Sequence, residues 1–294
     1  MKKYFLSVLI LFSSTGIFVQ GKINEGVIDE KSQTSFENNP FRLGLCLSGG
    51  AARGFAHVGV LRAFDEASIE VDCLSGSSMG ALIALLHATG KTPDEIMEMA
   101  QTIKTKKLKA IGSFHFGKAG LDYVEQLLNE IVEETTFEQL NIPLYICATN
   151  FQTGKYEIID TGDIMPAIRA SVAVPIKYGY QFINGVPYVD GGVVNNLPVE
   201  PLRERSQIVI GVSVNPIVIG YDTNLRSSIQ RLTELMVNEN EKFRIAMCDY
   251  HFEIPGLGEI GLEDYDRAYE IHDLGYQAAK EFIKNNPELI SNLN

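Results

Sequence analysis

Gly76-Ser-Ser-Met-Gly80 sets a serine between two glycines, directly after the apolar run "EVDCLS" (70–75) and directly before the helical pattern "ALIALLHA" (81–88). On a strand-turn-helix, G-x-S-x-G presents the central serine, Ser78, at the tip of a tight turn with a helix N-terminus behind it. Glycine suits positions 76 and 80 because strand and helix backbones cross closely there. A serine hydroxyl attacks only when a base takes its proton and donors stabilise the oxyanion that forms. The stretch "LCLSGGAARGFAH" (45–57) offers such donors. Its loop is nearly free of side chains and opens a helix, so the N–H groups of Gly49, Gly50 and Ala51, joined by that of Met79, can face a negative charge. Gly49 to Gly54 also has the G-x-x-x-x-G spacing of a phosphate loop, but Phe55-Ala56 stand where Lys-Ser/Thr would follow, and G-x-G-x-x-G fails. An oxyanion is therefore the favoured charge. For the base, "YVDGGVVNNLP" places Asp190 ahead of Gly191-Gly192, which would expose its carboxylate on a tight turn; Asp-Gly is equally a common hairpin tip.

The elements that must hold these residues alternate. "RLGLCLS" (42–48), "EVDCLS" (70–75), "LYICATN" (144–150) and "QIVIGVSV" (207–214) read as buried strands. Helical periodicity runs over 54–67, 79–88, 93–103, 121–132, 225–245 and 263–284. "KYEIID" and "QFINGVPYVDGG" add strand and turn pieces. Such alternation predicts a single α/β domain of three layers, with helices on both faces of a mostly parallel sheet.

The 294 residues are 45% hydrophobic and 21% charged, enough apolar material for one large domain. A net charge of −12 argues against sequence-independent nucleic-acid binding. Met-Lys-Lys, then an apolar core, then Val19-Gln-Gly21 has the anatomy of a secretory signal peptide, with cleavage expected after Gly21. Its apolar run is short of the roughly 20 residues of a membrane span. Export to a periplasm or the medium, with membrane association open, is the expectation. Residues 22–40 read as a polar linker and the domain as 41–294. Cys46, Cys73, Cys147 and Cys248 match no zinc spacing and read as buried free thiols. "KTKKLKAIGSFHFGKAGL" (104–121) mixes Lys104, Lys106, Lys107 and Lys109 with aromatic residues; it suits a solvated loop or a dock onto anionic lipid. His251 and His272 follow Asp190, the order of a Ser…Asp…His triad, yet neither has a motif around it. Both read as structural, as do His57, His87 and His115.

Taken in order, "LSGGAARGFAHVGVLRAF", "GSSMGALIAL" and "DGGVVNNLP" resemble the patatin-like phospholipases over about Phe41 to Pro216. The resemblance implies a Ser-Asp dyad without a catalytic histidine, with Ser78 as nucleophile and Asp190 as base. It implies an oxyanion hole at Gly49-Gly50-Ala51, where the family usually carries a third glycine in place of Ala51. Arg53 and Gly54 belong to that block, Gly76 and Gly80 to the nucleophile turn, and Gly191 and Gly192 to the base turn. Arg53 is read as bracing the loop through carboxylates, with placement of a phosphate headgroup as the alternative. "AIRASVAVPIKYGY" (167–180) corresponds to a segment near the acyl pocket. The implied activity is hydrolysis of phospholipid or lysophospholipid acyl esters through an acyl-enzyme, with no metal or cofactor. Alternatives are a short-chain carboxylesterase or thioesterase with the same site, or a non-catalytic lipid-binding or effector module.

Overall fold

Leu43, Leu45 and Leu47 alternate with Gly44 and Cys46 along the first strand, and every one of the five is buried. A strand with both faces covered belongs at the centre of a sheet. In the computed structural model, which describes residues 39–106, 125, 128–130, 132–133, 135–175, 177–217 and 224–293, that strand, β1 (Phe41–Leu47), has parallel neighbours on both edges. They are β2 (Cys73–Ser77) and β7 (Ser206–Ser213). Strand β3 (Leu144–Asn150) pairs parallel with β2, and β8 (Tyr250–Glu253) pairs parallel with β7. Three further strands, β4 (Lys155–Ile159), β5 (Gln181–Ile183) and β6 (Val186–Asp190), are antiparallel, giving the order β5-β6-β3-β2-β1-β7-β8 with β4 also on β3.

Side-chain alternation divides the core into two. Leu43, Leu45, Leu47, Leu74, Ile146, Ile210 and Val212 face one side, where they meet α1 (Phe55–Glu66), α2 (Met79–Ala88) and the long C-terminal helix α7 (Ala268–Asn285). Cys46, Cys73, Tyr145 and Val209 face the other, against Leu197, Val199 and Leu202 of the segment entering the short helix α5 (Glu200–Arg203). The sheet is thus flanked by helices, as the alternation predicts. Helices α1 and α7 pack backbone to backbone: a Cβ on Gly59 would lie 2.0 Å from the His272 carbonyl oxygen, and one on Gly275 equally close to that of Ala56. Other helices among the described residues include α3 (Pro93–Lys106), α4 (Ile164–Ser171), α6 (Leu225–Ile245) and α8 (Pro287–Leu293).

Element bounds follow the sequence patterns closely at β1, β3, β7, α2 and α6. The second strand lies later than expected, at 73–77 rather than 70–75, so it runs straight into the Gly76–Gly80 turn. The expected signal peptide (1–21), most of the expected linker (22–40), Lys107, Lys109 and His115 lie outside the described residues. Among the described residues no helix is long and apolar enough to cross a membrane.

Candidate active site

Strand β3 acts as a ruler for the site. Its one edge is occupied by β4 over residues 146–150, so β2 and β6 must share the other. There β2 pairs up to Ser77 opposite Cys147, and β6 ends with Asp190 opposite Ala148, the next residue. The residue leaving β2 and the residue ending β6 are thereby placed side by side. Ser78 Oγ donates a 2.6 Å hydrogen bond to Asp190 Oδ2.

Each partner is held independently of the other. Ser78 has φ 51° and ψ −124°, a conformation that costs an L-residue about 1–3 kcal/mol and persists only where surroundings impose it. The surroundings are close backbone. A Cβ on Gly76 would lie 2.6 Å from Ala81 N, and one on Gly80 would lie 2.2 Å from the Leu47 carbonyl oxygen. Ser78 N–H donates to Ser171 Oγ at 3.0 Å, and that hydroxyl donates to the Cys147 carbonyl at 2.7 Å. Asp190 N–H reaches Ala173 O, its carbonyl accepts from Thr149 Oγ1, and its Oδ1 accepts from Gly192 N at 2.8 Å. Asp190 is therefore the N-cap of a short turn over Gly191–Val193; the hairpin tip lies instead at Asn184-Gly185, both with positive φ. A Cβ on Gly191 would fall 2.4 Å from the Cys147 carbonyl oxygen, and one on Gly192 2.5 Å from Asn196 Oδ1. Asp190 is 6% exposed, and burial lifts its carboxyl to about 6, against the opposing pull of the Ser78 hydroxyl and Gly192 N–H.

The glycine loop lies beside this pair, and one expectation about it needs correction. Gly49 N–H donates to the Asn196 carbonyl at 3.2 Å, so it is not an oxyanion donor. Its part is steric, since a Cβ there would lie 2.9 Å from Ser78 Cβ. Among the described hydrogen bonds, the N–H groups of Gly50 and Ala51 have no acceptor, and Met79 N–H opens α2 where a helix leaves donors unpaired. Ala51 meets the missing-glycine problem by adopting φ 48° itself. Gly54 packs on Met79, whose Cβ would be 2.8 Å from an added methyl. Arg53 is 2% exposed; its Nε donates to Ile260 O and its Nη2 lies 3.6 Å from Glu234. Buried in this way it braces the loop.

The histidines stand apart from the pair. His251, on β8, bonds Ser213 Oγ at 3.0 Å, and three strand spacings, about 14 Å, separate β8 from β2. Burial lowers its ring to about 4. His272 sits on α7 with Nδ1 against Asp273. His57 Nε2 lies 2.8 Å from Ser48 O, so its ring ties α1 to the start of the glycine loop, and burial lowers it to about 4. His87 is also lowered by burial. The cysteines are free, with Cys46, Cys73 and Cys147 buried and Cys248 half-buried, and burial raises all four thiols. Among the described residues no three His, Cys, Asp or Glu side chains converge as a metal site.

Several partners of the site are not among the expected site residues: Ser171, Thr149 and Asn215 bond the backbone of Ser78, Asp190 and Gly49 respectively, and Glu241 bonds Asn196 of the block after Asp190. A hydroxyl bonded to a buried carboxylate, at a helix N-terminus and next to free N–H donors, can transfer an acyl group.

A mostly parallel sheet flanked by helices, with a strained serine turn and a capping aspartate, places the chain in the α/β class. The family model for patatin-like phospholipases matches residues 45–203, and the chain belongs to that family. An uncharacterized NTE family protein of Mycobacterium tuberculosis is 33% identical over 178 residues, covering 59% of this chain and 49% of that protein. Lysophospholipase NTE1 of Cryptococcus neoformans is 30% identical over 185 residues, covering 58% of this chain and 11% of that one. The chain thus spans about half the length of the mycobacterial relative. Among solved structures, VipD from Legionella pneumophila aligns over 83% of this chain and 67% of its own with TM-score 0.47 and 14% identity.

Proposed function

We propose that this protein is a serine lipid acyl hydrolase of phospholipase A or lysophospholipase type. The 2.6 Å Ser78–Asp190 hydrogen bond is the observation that carries the reading. Asp190 takes the proton from Ser78 as its oxygen attacks the ester carbonyl. The N–H groups of Gly50, Ala51 and Met79 receive the oxyanion, the alcohol departs with the proton, and water then releases the fatty acid from Ser78 by the reverse relay. Family membership supports a lipid ester as substrate. The order of basic, apolar and small residues over 1–21 supports export with cleavage after Gly21, and Lys104, Lys106, Lys107 and Lys109 supply a contact for anionic headgroups at the membrane surface.

The test is fatty acid release from anionic and zwitterionic phospholipid vesicles, from lysophospholipid and from a short soluble ester, with Ser78→Ala as control. Ser78-dependent release from lipid, faster on anionic vesicles at low salt, is expected. Hydrolysis of the short ester alone would move the substrate to small esters, and silence on all of them would contradict the reading.

A further inference from the structure

Helix α6 lies far along the chain from all three motifs, yet one buried stretch of it touches both catalytic loops. Glu241 is 3% exposed. Its Oε1 accepts from Asn196 Nδ2 at 2.5 Å and its Oε2 from Ser213 Oγ at 2.7 Å. The same Asn196 amide donates to the Gly49 carbonyl at 3.1 Å, and Asn215 Nδ2 donates to that carbonyl as well. The Gly49 carbonyl is thus gripped by two amides, one of them oriented by the Glu241 carboxyl. One residue earlier, Asn240 Oδ1 accepts from Asn196 N and Asn240 Nδ2 donates to the Gly192 carbonyl, each at 3.0 Å. Asn238 Nδ2 adds a bond to the Asn215 carbonyl. Gly192 is the residue whose N–H holds Asp190 Oδ1.

These bonds form one connected unit that sets the distance between oxyanion donors and base. The Gly49 carbonyl belongs to the peptide plane that carries the Gly50 N–H, so turning that carbonyl turns the donor with it. A rotation of a few tens of degrees would aim it away from the place where charge develops, and removing one such donor costs about 100- to 1,000-fold in kcat. A buried carboxyl with no cation paired to it among the described residues is costly to retain, and the bonds it accepts from Asn196 and Ser213 offset that cost.

We infer that Glu241 and Asn240 are positioning residues for acyl transfer: helix α6 clamps the oxyanion loop to the Asp190 turn through Asn196. The inference rests on the Ser78–Asp190 reading above, and neither residue touches the substrate.

The test compares Glu241→Gln, Glu241→Ala, Asn240→Ala, Asn196→Ala and Glu241→Ala/Asn196→Ala in the full chain. Gln keeps an acceptor for Asn196 and can donate to Ser213, so it should hold kcat within about 3-fold of the parent. Glu241→Ala should lower kcat by about 10- to 100-fold with KM changed less than about 3-fold, and Asn240→Ala by a smaller factor in the same direction. The double variant should be no worse than its worse parent, because both act through one bond. Hydrogen exchange of the peptide containing Gly49 to Arg53 should quicken in Glu241→Ala and Asn240→Ala and stay unchanged in Glu241→Gln. A folded Glu241→Ala with parental kcat, multiplied losses in the double variant, or unaltered exchange would each overturn the clamp. Exchange reads the clamp without turnover, so a parent protein silent on every ester would sink the hydrolase reading and leave the clamp decided by exchange and by Asn240→Ala.

Discussion

Asp190 is caught between two demands. As the proposed base it must be a carboxylate, whereas burial favours the neutral acid and lifts it to about 6. Since only the ionised form accepts the Ser78 proton, kcat/KM should rise with pH through an apparent value near 6 and level off above it. The linkage to stability has the opposite sign. A carboxyl raised from 3.8 in the unfolded chain to about 6 binds its proton more tightly when folded. Its contribution is therefore greatest below about pH 4 and declines as pH climbs to 6, by up to about 3 kcal/mol. Asp190→Asn keeps the shape, can accept from Gly192 N and removes that penalty. It should abolish turnover while unfolding at pH 7 no earlier than the parent, as denaturant titration with parallel ester assays would check. A variant that loses its fold along with its activity would contradict this account of Asp190.

At the scale of elements, the glycine loop and the nucleophile turn are both built on backbone that L-residues resist. Ala51 holds φ 48°, which costs about 1–2 kcal/mol, whereas glycine gives back about 0.5–1 kcal/mol through its freer unfolded chain. Ala51→Gly should raise Tm by a few degrees, at most about 4 °C, and leave kcat within about 3-fold because the N–H stays in place. A fall in Tm on scanning calorimetry would show that the methyl contributes packing that outweighs the strain. The candidate pair is legible in sequence because its signals are local: Ser78 lies within one strand-turn-helix, and Asp190 within a few residues of its own glycines. The sequence reading misassigned Gly49, since nothing local reveals that its N–H is taken by Asn196, 147 positions away. Glu241 was invisible for the same reason. Helix α6 shows only a helical period, and the partners of its buried carboxyl come from β7 and the Asp190 turn. Thr149 sits inside an ordinary apolar run and Ser171 inside the 167–180 segment that the resemblance sets near the acyl pocket, and neither bond is legible until β3 and α4 are packed together.

Across the whole molecule, the sheet order is what would let the proposed two-residue site work. Ser78 follows the C-terminal end of β2, a central parallel strand, and β6 continues along β3 from where β2 stops, so base and nucleophile meet without a third element reaching over. His251 is held to Ser213 on the opposite side of β1, and burial keeps its ring neutral. The net charge of −12 leaves the lysine-bearing stretch 104–121, which begins in the last turn of α3, as a locally basic feature of an acidic chain. The central claim is that Ser78 carries the acyl group, and the most direct measurement is mass spectrometry of protein quenched during turnover of a slowly deacylating ester. The account predicts one acyl group per chain, mapped to the peptide containing Ser78, absent in Ser78→Ala and present in His251→Ala. Steady ester hydrolysis with the acyl group on another residue, or its loss in His251→Ala, would contradict it.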